Sequence, residues 1–214
     1  MMFDGLIVLI PALNEEVEIE NVILGVREYG IPLLIDDGST DRTSSIAKAV
    51  GAVVISHPEN RGYEKALETG FEYFKNSHSD YLITLDADNQ HDPEMIREFY
   101  SRLIKGSDCV VGIRDKFQRI GEKIFGSVSR VLWGIEDPLC GMKAYSRQCF
   151  DLEIDKKFDS IGTKYVINAV KHGADLSQIR IITRERSDHP RFGSGLIPNF
   201  RILRALFITL FFLK

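Results

Sequence analysis

A chain of 214 residues with 44% hydrophobic and 27% charged side chains can bury the core of one domain. Its formal net charge of -4 supplies no basic field and argues against nucleic acid as a partner. The three cysteines, Cys109, Cys140 and Cys149, are odd in number and irregularly spaced, which fits free thiols in a reducing, cytoplasmic compartment and neither a disulfide scaffold nor a zinc site.

The chain opens on a short apolar run, Gly5 to Ile10, preceded by Asp4 and not by a basic segment, so a signal peptide is not expected. An unbroken run of this kind suits a strand buried on both faces. Ile19, Val22, Ile23 and Val26 then recur at i, i+3, i+4 and i+7, the stripe of an amphipathic helix stopped by Gly30 and Pro32. Leu33 to Ile35 reads as the second strand. Asp41 is placed to cap a second helix carrying Ile46, Ala47 and Val50, with Gly51 ending it. Ala52 to Ile55 reads as the third strand, and Tyr63, Ala66, Leu67, Gly70, Phe71 and Phe74 mark one face of a third helix. Tyr81 to Leu85 is the fourth strand. Pro93 suits the first turn of a fourth helix with Met95, Ile96, Phe99 and Leu103, ended by Gly106, and Cys109 to Ile113 is the fifth strand.

Beyond residue 115 the pattern loosens. A helix is expected over Glu122–Trp133, then the loop IEDPLCG, a short strand over Met142–Tyr145, a helix over Thr163–Lys171 and a strand over Leu176–Ile182. RERSDHPRFGSG reads as a charged, glycine-bearing loop without a period. No stretch reaches the roughly 20 apolar residues of a membrane-spanning helix.

Alternating strands and helices predict an α/β fold: a Rossmann-like, mostly parallel sheet covered on both faces. Ligands of such sheets sit at the carboxyl ends of the strands. The residues at those ends are Pro11-Ala12-Leu13-Asn14-Glu15, Asp36-Asp37-Gly38-Ser39, Asp86-Ala87-Asp88-Asn89-Gln90, and Arg114. Three acidic clusters and one arginine are thus expected on one edge. Asp86 and Asp88, at i and i+2, point to one side of an extended chain and repel unless a cation joins them. Mg²⁺ or Mn²⁺ suits oxygen ligands, takes one or two carboxylates and leaves positions for phosphate oxygens; the Gln90 amide oxygen is a further candidate ligand. A solvated turn is the competing reading, since Asp, Asn and Pro all favour turns.

PALNEE, IDDGSTDRT, LDADNQHDP and DPLCGMKAY, in this order and spacing, resemble glycosyltransferase family 2 over roughly residues 5–185, with dolichyl- and polyprenyl-phosphate sugar synthases nearest. The resemblance implies a GT-A fold over residues 1–195, a nucleotide-sugar donor linked to UDP or GDP, a divalent metal, and inversion at the sugar carbon. It places Pro11, Leu13 and Glu15 in the nucleoside pocket and Asp36, with Asp37 beside it, on the base or ribose. It places Asp86 and Ala87 near the ribose and sugar, Asp88 on the metal with Gln90, and Arg114 at the diphosphate or the acceptor phosphate. Asn14 and Glu15 also fit the plain start of a helix, where acidic residues are favoured. His91 follows the metal motif and is expected behind the site's ligands or in solvent, and His57, before Pro58, carries no catalytic signal.

The acceptor decides whether a base is needed. A phosphate monoester, with a second pKa of about 6, is mostly ionised at neutral pH and needs cations for positioning. A sugar hydroxyl needs a base. Arg114, Arg119, Lys123, Arg184, Arg186 and Arg191 are the candidate phosphate ligands, and Asp137 is the candidate base, preferred to Glu136. Pairing of Asp137 with an arginine is the competing reading. The arginine-glycine-serine-lysine pattern of the lipid-phosphate branch has no counterpart in the final loop. The expected acceptor is a polyprenyl phosphate; the alternative is a sugar hydroxyl in a surface glycan. A sugar-phosphate nucleotidyltransferase would carry a glycine-rich basic loop after its first strand, which PALNEE is not. A non-catalytic nucleotide-sugar binder would have no reason to keep the repelling acids.

The tail, residues 196–214, is apolar and basic. It is expected to form a helix lying at a membrane interface, which would make the enzyme peripheral on the cytoplasmic face. Packing on the domain and a homodimer contact are the alternatives.

Overall fold

The computed structural model describes residue 3 and residues 5–117, 119–151, 161–184 and 196–212. Its elements are β1 (Leu6–Ala12), α1 (Ile19–Val26), β2 (Ile31–Asp36), α2 (Thr43–Ala49), β3 (Val53–Ser56), α3 (Tyr63–Lys75), β4 (Tyr81–Thr84) and α4 (Met95–Ile104). Then follow β5 (Cys109–Arg114), α5 (Ile120–Trp133), β6 (Lys143–Ser146), α6 (Gln148–Asp151), α7 (Ile161–Lys171), β7 (Leu176–Ile181) and α8 (Leu196–Phe212).

The strands form one seven-stranded sheet in the order β3-β2-β1-β4-β6-β5-β7. All pairs are parallel except those of β6, which runs antiparallel between β4 and β5. This is the expected α/β architecture. Every residue of β1 is buried, because the sheet is covered on both faces. Leu6, Val8 and Ile10 join the core beneath α1 and α4, while Ile7 and Leu9 join the core beneath α3 and α7. The alternation follows from the two-residue period of the strand.

β1 extends past the expected Ile10, through Pro11 and Ala12. It does so on its β2 side, where the register runs to Ala12↔Asp36; the β4 register ends at Leu9↔Thr84. Pro11 therefore sits where the strand is paired on one side only. Pro93 precedes α4 in a lead-in turn, in which Met95, Ile96 and Arg97 each donate to the carbonyl three residues back. Asp41 accepts from the Thr43 amide at 2.9 Å, just outside the first turn of α2.

Gly70 sets α3 close to β1, since a Cβ there would meet Leu9 Cδ1 at 2.2 Å. The two carboxyl-end loops beside it are tied together. Asn14, with φ 53°, donates its amide to Ser39 Oγ at 2.8 Å and accepts from the Thr40 amide at 2.8 Å. The Glu15 amide donates to Thr43 Oγ1 at 2.7 Å.

Candidate active site

The carboxyl ends of β1, β2, β4 and β5 meet at one edge of the sheet. β6 starts there because it runs the other way: Lys143 pairs with Thr84 on β4 and Val111 on β5. The loop Pro138–Met142 before it is thus carried to the same edge.

Asp86 is the centre of this edge. Tyr63, the first residue of α3, donates its hydroxyl to Asp86 Oδ1 at 3.1 Å. His91 Nε2 lies 3.3 Å from Asp86 Oδ2, and among the described residues His91 Nδ1 is buried without a hydrogen-bond partner. The Asp86 side chain keeps 31% of its surface. Burial pushes its carboxyl up, yet the contacts from His91 and Tyr63 and the charge of Lys143 outweigh this and hold it below the ordinary carboxylate value. For Tyr63, burial and the neighbouring Asp86 act together and push the phenol well up. Gly141 lies directly under the carboxylate: a Cβ there would stand 2.0 Å from Asp86 Oδ2. Lys143 is buried and donates its ammonium to the Cys140 carbonyl. Burial lowers its pKa, against the pull of Cys140, Asp137 and Asp86.

Asp88 accepts from the Gln90 amide at 3.1 Å. The Gln90 side-chain nitrogen donates to the Arg184 carbonyl at 3.2 Å, which leaves its amide oxygen as the group suited to a cation. Among the described residues no group of three or more His, Cys, Asp or Glu side chains is arranged to hold a metal. A carboxylate and an amide oxygen are hard donors, and one or two protein ligands suit Mg²⁺ or Mn²⁺ when phosphate oxygens complete the shell. The donor set fits such an ion held jointly with a diphosphate.

Asp36 is buried and accepts from the Ser39 amide at 3.0 Å. Asp37 takes a different part. Its oxygens accept from the Gly62 amide at 2.7 Å and the Arg61 amide at 3.0 Å, and His57 Nδ1 lies 2.6 Å away. His57 Nε2 in turn lies 2.9 Å from Thr69 Oγ1. Asp37 and His57 therefore brace the loop that leads into Tyr63. Pro11 and Glu15 are buried and Leu13 is half-buried beside them.

Arg114 and Asp137 face each other. Arg114 donates Nε to Asp137 Oδ2 at 2.8 Å and a terminal nitrogen to Oδ1 at 2.9 Å, and its backbone amide reaches Oδ2 at 3.2 Å. Asp137 is 1% exposed. Burial disfavours the Arg114 charge, but the Asp137 contact more than offsets it and raises the guanidinium pKa further. Glu122 pairs with Arg119 at 3.0 Å and lies 3.8 Å from Arg114. Arg184 pairs with Asp92 at 2.8 Å. Arg186 and Arg191 lie outside the described residues.

Tyr63, Gly141 and Lys143 are not among the site residues that the sequence suggests. Each touches or adjoins the Asp86 carboxylate from a distant segment. Only Gly141 and Lys143 carry a signal, through their place in the DPLCGMKAY motif.

Acidic residues gathered at the parallel edge of such a sheet suit a sugar-nucleotide enzyme, and the comparisons agree. The profile of Glycosyl transferase family 2 matches residues 7–151. The chain belongs to this family. An uncharacterized protein of Methanocaldococcus jannaschii is 31% identical over 98% of this chain and 93% of its own length. A UDP-N-acetylglucosamine–dolichyl-phosphate N-acetylglucosaminyltransferase of Methanococcus voltae is 26% identical over 96% of each chain. A dolichyl-phosphate hexose transferase of Haloferax volcanii is 28% identical over 86% of this chain and 85% of its own. Glucosyl-3-phosphoglycerate synthase of Mycobacterium tuberculosis, solved with Mn²⁺, uridine diphosphate and phosphoglyceric acid, superposes with a TM-score of 0.76. It is 22% identical, over 96% of this chain and 76% of that one, which speaks for the shared GT-A fold. The chain is a family 2 glycosyltransferase with polyprenyl-phosphate sugar transferases among its relatives.

Proposed function

We propose that this glycosyltransferase moves a sugar from a UDP- or GDP-linked donor to a polyprenyl phosphate, with inversion and with Mg²⁺ or Mn²⁺. The observation that carries the choice of acceptor is the Arg114–Asp137 fork. Both oxygens of Asp137 are taken by Arg114, and the carboxylate is 1% exposed. A carboxylate so engaged is poorly placed to draw a proton from a sugar hydroxyl, whereas a phosphate acceptor arrives already ionised.

In this reading Pro11, Leu13, Glu15 and Asp36 receive the nucleoside. Asp86 and Ala87 stand beside the ribose and sugar. Asp88 and Gln90 would hold the ion, which when bound neutralises charge on the diphosphate leaving group. Tyr63, His91 and Gly141 keep the Asp86 carboxylate in one orientation. The acceptor phosphate requires cations, and Arg186 and Arg191 are proposed for it together with Arg114.

Calorimetric titration of UDP and GDP, with and without Mn²⁺, tests the donor half on the native chain and on Asp88→Ala. Metal-dependent binding of one nucleotide, absent in the variant, is expected. Absence of binding under every condition would overturn the UDP- or GDP-linked donor assigned to this edge. Transfer assays with polyprenyl phosphate and with sugar acceptors then test the other half. Transfer to a hydroxyl and none to the lipid phosphate would overturn the acceptor assignment.

A further inference from the structure

All three cysteines carry free, buried thiols, and two of them meet. Cys109 opens β5 and Cys149 lies in α6, and both belong to the core beneath α3 and α7. Cys149 Sγ donates to the carbonyl oxygen of Asp108 at 3.0 Å, which sets it against the peptide that leads into Cys109. The Cys109 thiol in turn donates to the Cys149 sulfur. β6 holds this arrangement in place: Tyr145 pairs with Cys109 across the sheet, and the Ser146 amide donates to the same Asp108 carbonyl at 2.8 Å. Cys140 packs in the core on the other face of the sheet, which separates it from both thiols.

The two thiols are not equivalent. Cys149 lines a cavity of about 190 Å³ with Asp108, Gln148 and the exposed His172, at the end of the sheet opposite the candidate active site. Cys109 does not line it and is fully buried. The hydrogen bond from Cys109 holds the Cys149 thiol below its ordinary range, against the effect of burial. The same bond, with burial, pushes Cys109 up. The thiolate is the reactive form of cysteine, so Cys149 is the nucleophile and Cys109 keeps its proton.

We infer that Cys109 and Cys149 form a reversible redox pair, a modification site at which a hydroperoxide closes a disulfide between β5 and α6. The Cys149 thiolate attacks one peroxide oxygen. The O–O bond breaks, the leaving oxygen takes the proton that Cys149 gave up, and Cys149 becomes a sulfenic acid. The Cys109 sulfur then attacks the Cys149 sulfur: the S–S bond forms, the S–O bond breaks, and the hydroxyl leaves with the Cys109 proton as water. Two thiols and one hydroperoxide give one disulfide, one alcohol and one water, with two electrons passing from sulfur to oxygen. A dithiol reductant reverses the closure by exchange. The segment so enclosed carries Arg114, Asp137, Gly141 and Lys143. The inference goes beyond the transfer chemistry and is independent of donor and acceptor.

The test is mass spectrometry of the full chain after treatment with equimolar hydrogen peroxide, with remaining thiols blocked in denaturant and digestion without reductant. A Cys109–Cys149 cross-link is expected, removed by dithiothreitol, with Cys140 recovered as a blocked free thiol. The melting temperature of the native chain should rise by about 10 °C on oxidation and fall back on reduction, because closing a loop of roughly 40 residues lowers the entropy of the unfolded chain. Cys109→Ser should stop at a sulfenic acid on Cys149, which dimedone labels, and Cys149→Ser should leave Cys109 unlabelled. The measurements on the native chain stand whether or not these variants fold. Three free thiols after peroxide, a cross-link through Cys140 or between two chains, or a melting temperature that does not rise would each overturn the inference. Dimedone on Cys109 in place of Cys149 would overturn the assigned order of attack.

Discussion

Arg114 and Asp137 close on each other as a two-pronged fork, at 2.8 and 2.9 Å, with the carboxylate shut away from solvent. Such a pair is fragile when halved, because the surviving charge stays buried. Asp137→Ala is expected to lower stability by about 3–5 kcal/mol, read from denaturant midpoints. Asp137→Asn keeps the shape and one acceptor oxygen, and should retain part of that stability. If Asp137 serves structure, residual turnover in the Asn variant keeps the pH dependence of the native enzyme. A base would behave otherwise: the Asn variant would stay stable, lose turnover, and lose the pH limb that the base supplies.

Gly141 determines where the Asp86 carboxylate can sit. A methyl group at this position would overlap Oδ2 at 2.0 Å and Cγ at 2.5 Å, so the carboxylate must move. Gly141→Ala is expected to destabilise by about 1–3 kcal/mol and to weaken nucleotide binding. The double variant Asp86→Ala, Gly141→Ala removes the overlap and should recover stability without recovering binding. Additive losses in the two single variants would show that the residues do not compete for that space.

Much of this edge is legible in the sequence, and the reason is local. β1, β2, β4 and β5 are apolar runs bounded by polar residues, and their order in the chain fixes which acids follow a strand. The direction of β6 is not legible. Lys143–Ser146 is four residues long, and nothing in KAYS shows that it runs antiparallel between β4 and β5. That insertion carries Gly141 and Lys143 to Asp86. The Tyr63 contact is hidden for a related reason: it joins the start of α3 to the end of β4 across 23 residues. α6 is a single short turn with no periodic signal. Arg114 and Asp137 are each visible as candidates, but their geometry depends on how the α5 segment folds back.

Asp37 offers a sharper test of what a motif assigns. The second acid of IDDGST receives the amides of Arg61 and Gly62 and faces His57, so it orders the approach to Tyr63. Asp37→Ala removes the acceptor shared by the Arg61 and Gly62 amides and the partner of the buried His57 ring, and is expected to cost about 1–3 kcal/mol in a denaturant titration. A residue that only touched the ribose would change stability by no more than about 0.5 kcal/mol.

The Tyr63–Asp86 contact also gives stability a pH signature of known sign. Asp86 is held below its ordinary value, so its contribution is present above the unfolded carboxylate pKa of about 4 and is lost as pH falls through the folded value. Tyr63 is held above its ordinary value. Its contribution is present below the unfolded phenol pKa of about 10 and is lost as pH rises through the folded one. Tyr145 adds to the alkaline loss, since burial raises its phenol too. Lys143 acts with the opposite sign, because burial lowers its pKa and its contribution is lost as pH falls. Comparing the native chain with Tyr63→Phe isolates the one group. The variant should unfold less steeply on the alkaline side. On the acid side it should also have less to lose, because the hydrogen bond that helps depress Asp86 is gone. The check is denaturant midpoints across the pH range for both proteins. Curves that stay parallel at both ends would mean that Tyr63 does not hold the Asp86 carboxylate in solution.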